Sequence, residues 1–189
     1  NLLKNRKCLK CDLKNSNFNY ANLDESDVTE SVFDKSSMNG IKLKKSIVIN
    51  ASFVNVDLSS STLDGIKGED VDFSQSLMTK MSLIKGELIS SDFSNSDMSR
   101  SKLNKSNLSN SDFSESVING SEIIGVNLSN SNFNKGKFND TNFSNSIINK
   151  SELVEIEARK SLFIETKMND SIMNNSILNK SNFSNSNLT

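Results

Sequence analysis

Residues 91–100 read SDFSNSDMSR, and the same shape returns as SDFSE at 111–115 and as SNFSN at 181–185. In each block a small residue is followed by Asp or Asn, a large apolar residue and two more polar residues. Cutting the chain into fives from Asn1 keeps this register without insertion or deletion. The third position is Leu, Phe, Met, Ile or Val in 35 of 38 blocks, so a five-residue repeat organises the whole chain.

A period of five fits neither the 3.6 residues of a helical turn nor the two-residue alternation of a strand. A short extended segment would point the first and third residues to the same side. Ser, Asn, Asp and Gly, which are common at the fourth and fifth positions, favour tight turns. Four such segments would close a square coil, so the sequence should also show a period of twenty.

The period of twenty is present. Every twentieth residue from Phe33 to Phe133 is a phenylalanine, and every twentieth residue from Leu3 to Leu103 is a leucine. We therefore expect each side of the coil to keep its own core residue from coil to coil, as stacking of like side chains favours.

Two blocks break the pattern at the third position in a compensated way. Gly68 is preceded by Ile66, and Ala158 is preceded by Ile156, so the normally small first residue is large where the central residue is small. This is the volume conservation expected of a close-packed core.

The blocks ANLDE (21–25), SDFSN (91–95) and SNLSN (106–110) resemble the motif of the pentapeptide-repeat family, which is Ala, Asp or Asn, Leu and two variable residues. The resemblance implies an all-β fold, a right-handed quadrilateral parallel β-helix with four five-residue faces per coil and about 9–10 coils, in one domain over residues 1–189. The chain has serine at 22 of 38 first positions, where the family prefers alanine. We expect these hydroxyls to bond to backbone carbonyls or to each other, because buried polar groups need partners.

The two ends show no capping segment in the sequence. NLLKN (1–5) begins in register, and no amphipathic helix follows the last block. The chain starts at Asn1 without methionine and stops within the pattern at Thr189, so we expect it to be part of a longer protein. Without a span of roughly 18 apolar residues or a signal sequence, we predict a cytoplasmic protein without a membrane span.

The composition argues against catalysis. Histidine is absent, which removes the commonest general base and metal ligand. Carboxylate pairs such as Glu69 and Asp70 lie at outward positions of a convex rod, which offers no cleft to shift their pKa values. We predict a non-enzymatic protein with no cofactor, no metal and no small-molecule substrate.

Cys8 and Cys11 form a CxxC sequence. Their register places Cys8 at a third position and Cys11 at a first position, both pointing inward. We interpret them as core side chains without a redox role; the alternatives are a redox pair or half of a zinc site.

Lys+Arg of 22 against Asp+Glu of 23 gives a net charge of −1, but the period of twenty separates these charges by side. The side of the phenylalanine column has a net charge of −5, and the opposite side and its corners are rich in lysine. The candidate partner-binding acidic stripe consists of Asp72, Asp92, Asp112 and Glu115. The candidate basic corner consists of Lys80, Lys85, Arg100 and Lys105.

These charges either provide solubility and reflect the repeat's preference for Asp, or they dock a partner. We favour a protein–protein interaction or scaffold rod. The alternative, which the resemblance implies, is a DNA mimic that binds a type II topoisomerase such as DNA gyrase, as some acidic members of the family do. We do not expect direct nucleic-acid binding, because Tyr20 is the only outward ring and bases would find no stacking partner.

Overall fold

The structure is a computed structural model and describes residues 2–189. It contains one helical turn, α1 (Leu2–Asn5), and two short strands, β1 (Lys67–Glu69) and β2 (Glu87–Ile89). β1 and β2 pair in parallel, with Gly68 opposite Leu88. The rest of the chain is a series of isolated parallel β-bridges separated by two-residue turns.

Each bridge joins the second residue of a block to the residue twenty positions later, so every block stacks in parallel on its counterpart. The four blocks of a coil form four such ladders, and the predicted right-handed quadrilateral β-helix is confirmed. One side of the coil is formed by block 11–15, block 31–35 and the blocks that follow at intervals of twenty residues. We call this side the phenylalanine face. The opposite side, formed by blocks 21–25, 41–45 and onward, is the leucine face.

The residues at the corners of the coil adopt the left-handed backbone conformation. Every fifth residue from Lys10 to Asn185 has a φ between +51° and +67°. The backbone N–H of this residue bonds to the carbonyl one coil later, as Asn95 does with Ser114 at 2.9 Å. The fifth side chain points away from the core, and the corners display 19 of the 45 charged residues, more than any other position of the repeat.

Phenylalanine rings fill much of the core. The six rings from Phe33 to Phe133 stack with centroids 4.9 to 5.3 Å apart and planes within 9° of parallel. Phe138 contacts Phe133 and Phe143 edge-on, at 5.7 and 5.9 Å. It fits because Gly136 has no side chain, since a Cβ there would overlap the Phe138 ring.

The serine hydroxyls join successive coils. Ser101 Oγ donates to the carbonyl oxygen of Met78 at 2.9 Å and accepts from the N–H of Met81 at 3.0 Å, and most first-position serines make one or both of these bonds. The predicted bonding to backbone carbonyls is thus confirmed. Ser26 Oγ lacks a partner because the equivalent carbonyl, twenty-three residues earlier, lies in α1 rather than in a coil; Ser61 Oγ is also buried without a partner.

The first block is not a repeat, and the prediction that Leu3 begins the leucine column is wrong. Leu3 is 54% exposed, whereas Leu2 is 6% exposed and covers the end of the core. Among the described residues, no β-bridge joins this block to residues 21–25. The helical turn instead bonds within itself, from Arg6 N–H to Leu2 O at 2.9 Å. Leu2 covers this end only in part, because Cys8, Leu13 and Phe18 of the first coil are half-buried.

The core around Gly68 is filled by its neighbours. Ile66 is fully buried, as predicted. A Cβ at Gly68 would lie 2.6 Å from Val71 and 2.8 Å from Val48, so these side chains occupy the space that a third-position residue would take.

Cys8 and Cys11 form a disulfide, with their Cα atoms 5.7 Å apart. The interpretation as core side chains without a redox role is wrong, because both positions point into the same narrow interior at a separation that a disulfide spans. The bond also leaves no thiol in residues 2–189 for half of a zinc site. It closes a loop too short to constrain the unfolded chain strongly.

The last coil leaves its core side chains partly open. Met173, Leu178 and Phe183 are half-buried, and Leu188 is 60% exposed. Within residues 2–189, no helix has both the length and the apolar character needed to cross a membrane.

Candidate functional site

Three aspartates form a row on the phenylalanine face. Asp72, Asp92 and Asp112 follow one another in the same ladder. One oxygen of each accepts a hydrogen bond from the backbone N–H two residues later, at 2.9, 2.7 and 2.8 Å. This bond supports the turn and accounts for the preference for Asp or Asn at the second position. The other oxygen makes no hydrogen bond to the described residues, so it is available to a partner.

Glu115 lies at the corner beside Asp112 rather than in the row. Its side chain is exposed. None of the eight carboxylates of the phenylalanine face forms an ion pair with another of the described residues. The structure thus brings the three aspartates together as predicted and places Glu115 at their border.

The predicted basic corner forms two adjacent columns. Lys80 and Arg100 occupy one corner in successive coils, and Lys85 and Lys105 occupy the next corner. These two corners are the edges of the leucine face. All four side chains are exposed, and none pairs with a carboxylate of residues 2–189.

Glycines at the corners seat long side chains. All four glycines with positive φ follow a long corner residue by twenty positions. The pairs are Lys45 and Gly65, Arg100 and Gly120, Lys105 and Gly125, and Tyr20 and Gly40. In the three basic pairs, a Cβ on the glycine would lie 3.5 to 3.9 Å from the Cγ atom of the basic residue. The aliphatic stems therefore lie along the rod, over the next corner. Sequence analysis missed these glycines, although the spacing of twenty would have revealed them.

The leucine face and its edges hold eight cations between residues 42 and 105. Two of them are paired, Lys44 with Asp64 at 4.0 Å and Lys102 with Glu122 at 3.5 Å. The other six, which we call the basic cluster, have no ion pair among residues 2–189. The basic cluster consists of Lys42, Lys45, Lys80, Lys85, Arg100 and Lys105.

Two concavities mark the surface. The larger, of about 470 Å³, is the open core of the last coil, lined by Met168, Phe183 and Leu188 among others. The smaller, of about 300 Å³, lies where Gly65 leaves a notch between Lys45 and Lys85 at the edge of the leucine face. In residues 2–189 no group of three or more His, Cys, Asp or Glu side chains is placed to hold a metal ion. The distinctive surface chemistry is therefore charge on flat faces.

The fold and its surface define a class of protein, the four-sided parallel β-solenoid built from five-residue repeats. The family model for pentapeptide repeats matches eight copies, over residues 11–48, 91–130 and 121–156, more than half of the chain. The chain belongs to the pentapeptide-repeat family.

Solved structures of the same fold are similar to this chain. A trypsin-treated variant of QnrB1, described as a plasmid-mediated fluoroquinolone resistance protein, is 12% identical, with 91% of each chain covered and a TM-score of 0.72. HetL from the cyanobacterium Nostoc sp. strain PCC 7120, described as involved in heterocyst differentiation regulation, is 15% identical, with 93% of this chain and 86% of HetL covered and a TM-score of 0.49. A comparison with curated proteins finds no significant match. At these identities the likeness establishes the fold alone.

Proposed function

We propose that this protein is a non-catalytic interaction rod that binds a protein partner through its charged faces. The observation that carries the proposal is the separation of unpaired charges. The carboxylates of the phenylalanine face and the basic cluster lie on opposite sides of the rod, and neither set forms an ion pair within the described residues. Charge arranged in this way steers a partner and fixes its orientation.

The fold supports a binding role rather than a catalytic one. Inward positions are occupied by apolar residues, serine and threonine, and the serine hydroxyls are largely engaged with backbone groups. Apart from the notch at Gly65, outward positions lie on flat faces and corners, whereas enzyme sites are usually concave. Pentapeptide-repeat proteins generally act as interaction proteins.

The test compares proteins captured by matched versions of the immobilised rod. The variant D72N/D92N/D112N removes three charges but keeps the oxygen that supports each turn, and the variant K85Q/R100Q/K105Q removes three cations. We expect at least one protein from an extract of the source organism to bind the native rod and to be lost with one of the two variants. Capture that is identical for all three rods would overturn the proposal.

Topoisomerase binding is the second candidate. It is supported by the fold shared with QnrB1 over 91% of both chains and by the aspartate row, whose carboxylates repeat at about the 4.8 Å spacing of neighbouring strands, close enough to imitate a line of phosphates. The net charge of −1 and the basic cluster favour the general interaction rod.

A supercoiling assay with purified DNA gyrase separates the two candidates. If the rod is a mimic, it should change supercoiling in the presence or absence of a fluoroquinolone, and D72N/D92N/D112N should lose the effect. Unchanged supercoiling at micromolar rod would exclude this candidate and leave the first proposal intact.

A further inference from the structure

The basic cluster is a set of like charges held close together. Lys80 stacks on Arg100 and Lys85 stacks on Lys105, one coil apart, which is about 4.8 Å in a parallel ladder. Stacked cations repel each other, and no carboxylate of residues 2–189 pairs with these four. A surface of this kind gains most from an anionic partner whose charges repeat at the same spacing.

Part of the cluster is already ordered for contact. The stems of Arg100 and Lys105 rest over Gly120 and Gly125, which lie in the same coil at the two edges of the leucine face. This packing directs both side chains along the rod and reduces the conformational freedom that binding would otherwise remove. The notch at Gly65 does the same for Lys45.

The opposite side of the same rod has the matching chemistry. Asp72, Asp92 and Asp112 present one free carboxylate oxygen per coil. Their coils are those of Lys80 to Lys105, so both patches lie at the same height along the rod. Because the two patches lie on the same stack of coils, the charges of both repeat at the same distance along the rod.

We infer that the leucine face docks the phenylalanine face of a second copy of this chain, with the two rods side by side. Each side holds roughly a quarter of the 8651 Å² accessible surface, which exceeds the ~800 Å² per partner of a standard specific interface. The two faces point in opposite directions, so a pair leaves one face of each kind free. The interface is therefore heterologous, since two different faces meet in it, and further copies can add to the pair without closing a dimer.

The inference rests on the proposed function, since it identifies the partner of the same faces. Sedimentation of the purified chain at about 0.05 M salt should give a weight-average mass that rises with concentration beyond twice that of the monomer. At about 1 M salt, where charges are screened beyond roughly 3 Å, the chain should sediment as a monomer.

Two face variants and a control localise the contact. D72N/D92N/D112N and K85Q/R100Q/K105Q should each be monomeric at low salt. Mixed in equal amounts, they should associate again but stop at a pair, because each retains only the face that the other lacks. The control K67Q/K137Q/K167Q removes three exposed lysines from the other two sides and should still associate beyond a pair.

Several outcomes would overturn the inference. The native chain could stay monomeric at low salt, or it could form a dimer whose mass does not rise further with concentration. Association could also persist in both face variants. If the native chain is monomeric but shifts a short DNA duplex in a gel, the basic cluster binds nucleic acid instead. If the native chain is monomeric at low salt but captures another protein, self-association is excluded and the proposed function is still supported.

Discussion

Ser101 Oγ donates a hydrogen bond to the carbonyl oxygen of Met78, across 2.9 Å and from one coil to the preceding one. The same hydroxyl accepts the N–H of Met81, which has no other hydrogen-bond partner in residues 2–189. The substitution Ser101→Ala leaves both backbone groups buried and unpaired, so it should lower the free energy of unfolding by about 1–3 kcal/mol. Urea unfolding followed by circular dichroism measures this loss.

Ser61→Ala is the matched control. Ser61 is also buried at a first position, but its hydroxyl has no partner. Its removal should leave stability unchanged or slightly raised. Equal losses at Ser61 and Ser101 would mean that the hydroxyls do not join the coils.

The phenylalanine stack should be more sensitive in its middle than at its end. Phe93 is buried between Phe73 and Phe113, at 5.3 and 4.9 Å, so Phe93→Ala should cost about 3–5 kcal/mol. Phe183 has one stacked neighbour, at 4.6 Å, and is only half-buried, so Phe183→Ala should cost less. Thermal unfolding of the two variants compares them.

Asp92→Asn tests the outward position next to Phe93. Asparagine keeps the oxygen that accepts the N–H of Ser94, so stability should change by less than ~0.5 kcal/mol. A loss as large as that of Phe93→Ala would contradict the assignment of inward and outward positions.

A β-branched residue at a corner should be destabilising although the site is exposed. Asn95 has a φ of +57°, a region that β-branched residues avoid. Asn95→Val should therefore cost about 1–2 kcal/mol, whereas Asn95→Gly should be nearly neutral. If valine is tolerated as well as glycine, the corner is not left-handed in solution.

Serine is the residue that the repeat prefers at the first position, but it should lower the stability of the rod at Gly136. Gly136→Ser supplies the commonest first-position residue, but its Cβ would overlap the ring of Phe138. Overpacking of this kind costs about 1–3 kcal/mol. Ala51→Ser makes the same residue at a position that already has a Cβ, and its melting temperature should stay close to that of the native chain.

The sequence predicted the fold and its sides because each coil position has one fixed direction. The spacing of twenty therefore predicts Asp72, Asp92 and Asp112 in one row. The exchange of Leu2 for Leu3 was not predictable in this way, since the five-residue pattern continues through a block that forms a helical turn. The Cys8–Cys11 bond was missed because periodicity reports direction and not covalent state. That the row and the basic cluster bind a partner remains a prediction.

Four blocks close one coil, and every repeat block points its first and third residues inward. The number of blocks can therefore change the positions of the charged residues around the rod while the core keeps its apolar side chains. If five residues were inserted after Ser90, every apolar side chain downstream would still face inward. Phe93, however, would rest on Met78 instead of Phe73, and all later sides would be rotated by a quarter turn. Twenty inserted residues would lengthen the rod and rotate nothing. The angular position of a charged row is thus set by the number of blocks before it, and insertions or deletions of single blocks could redirect a binding face without redesigning the core.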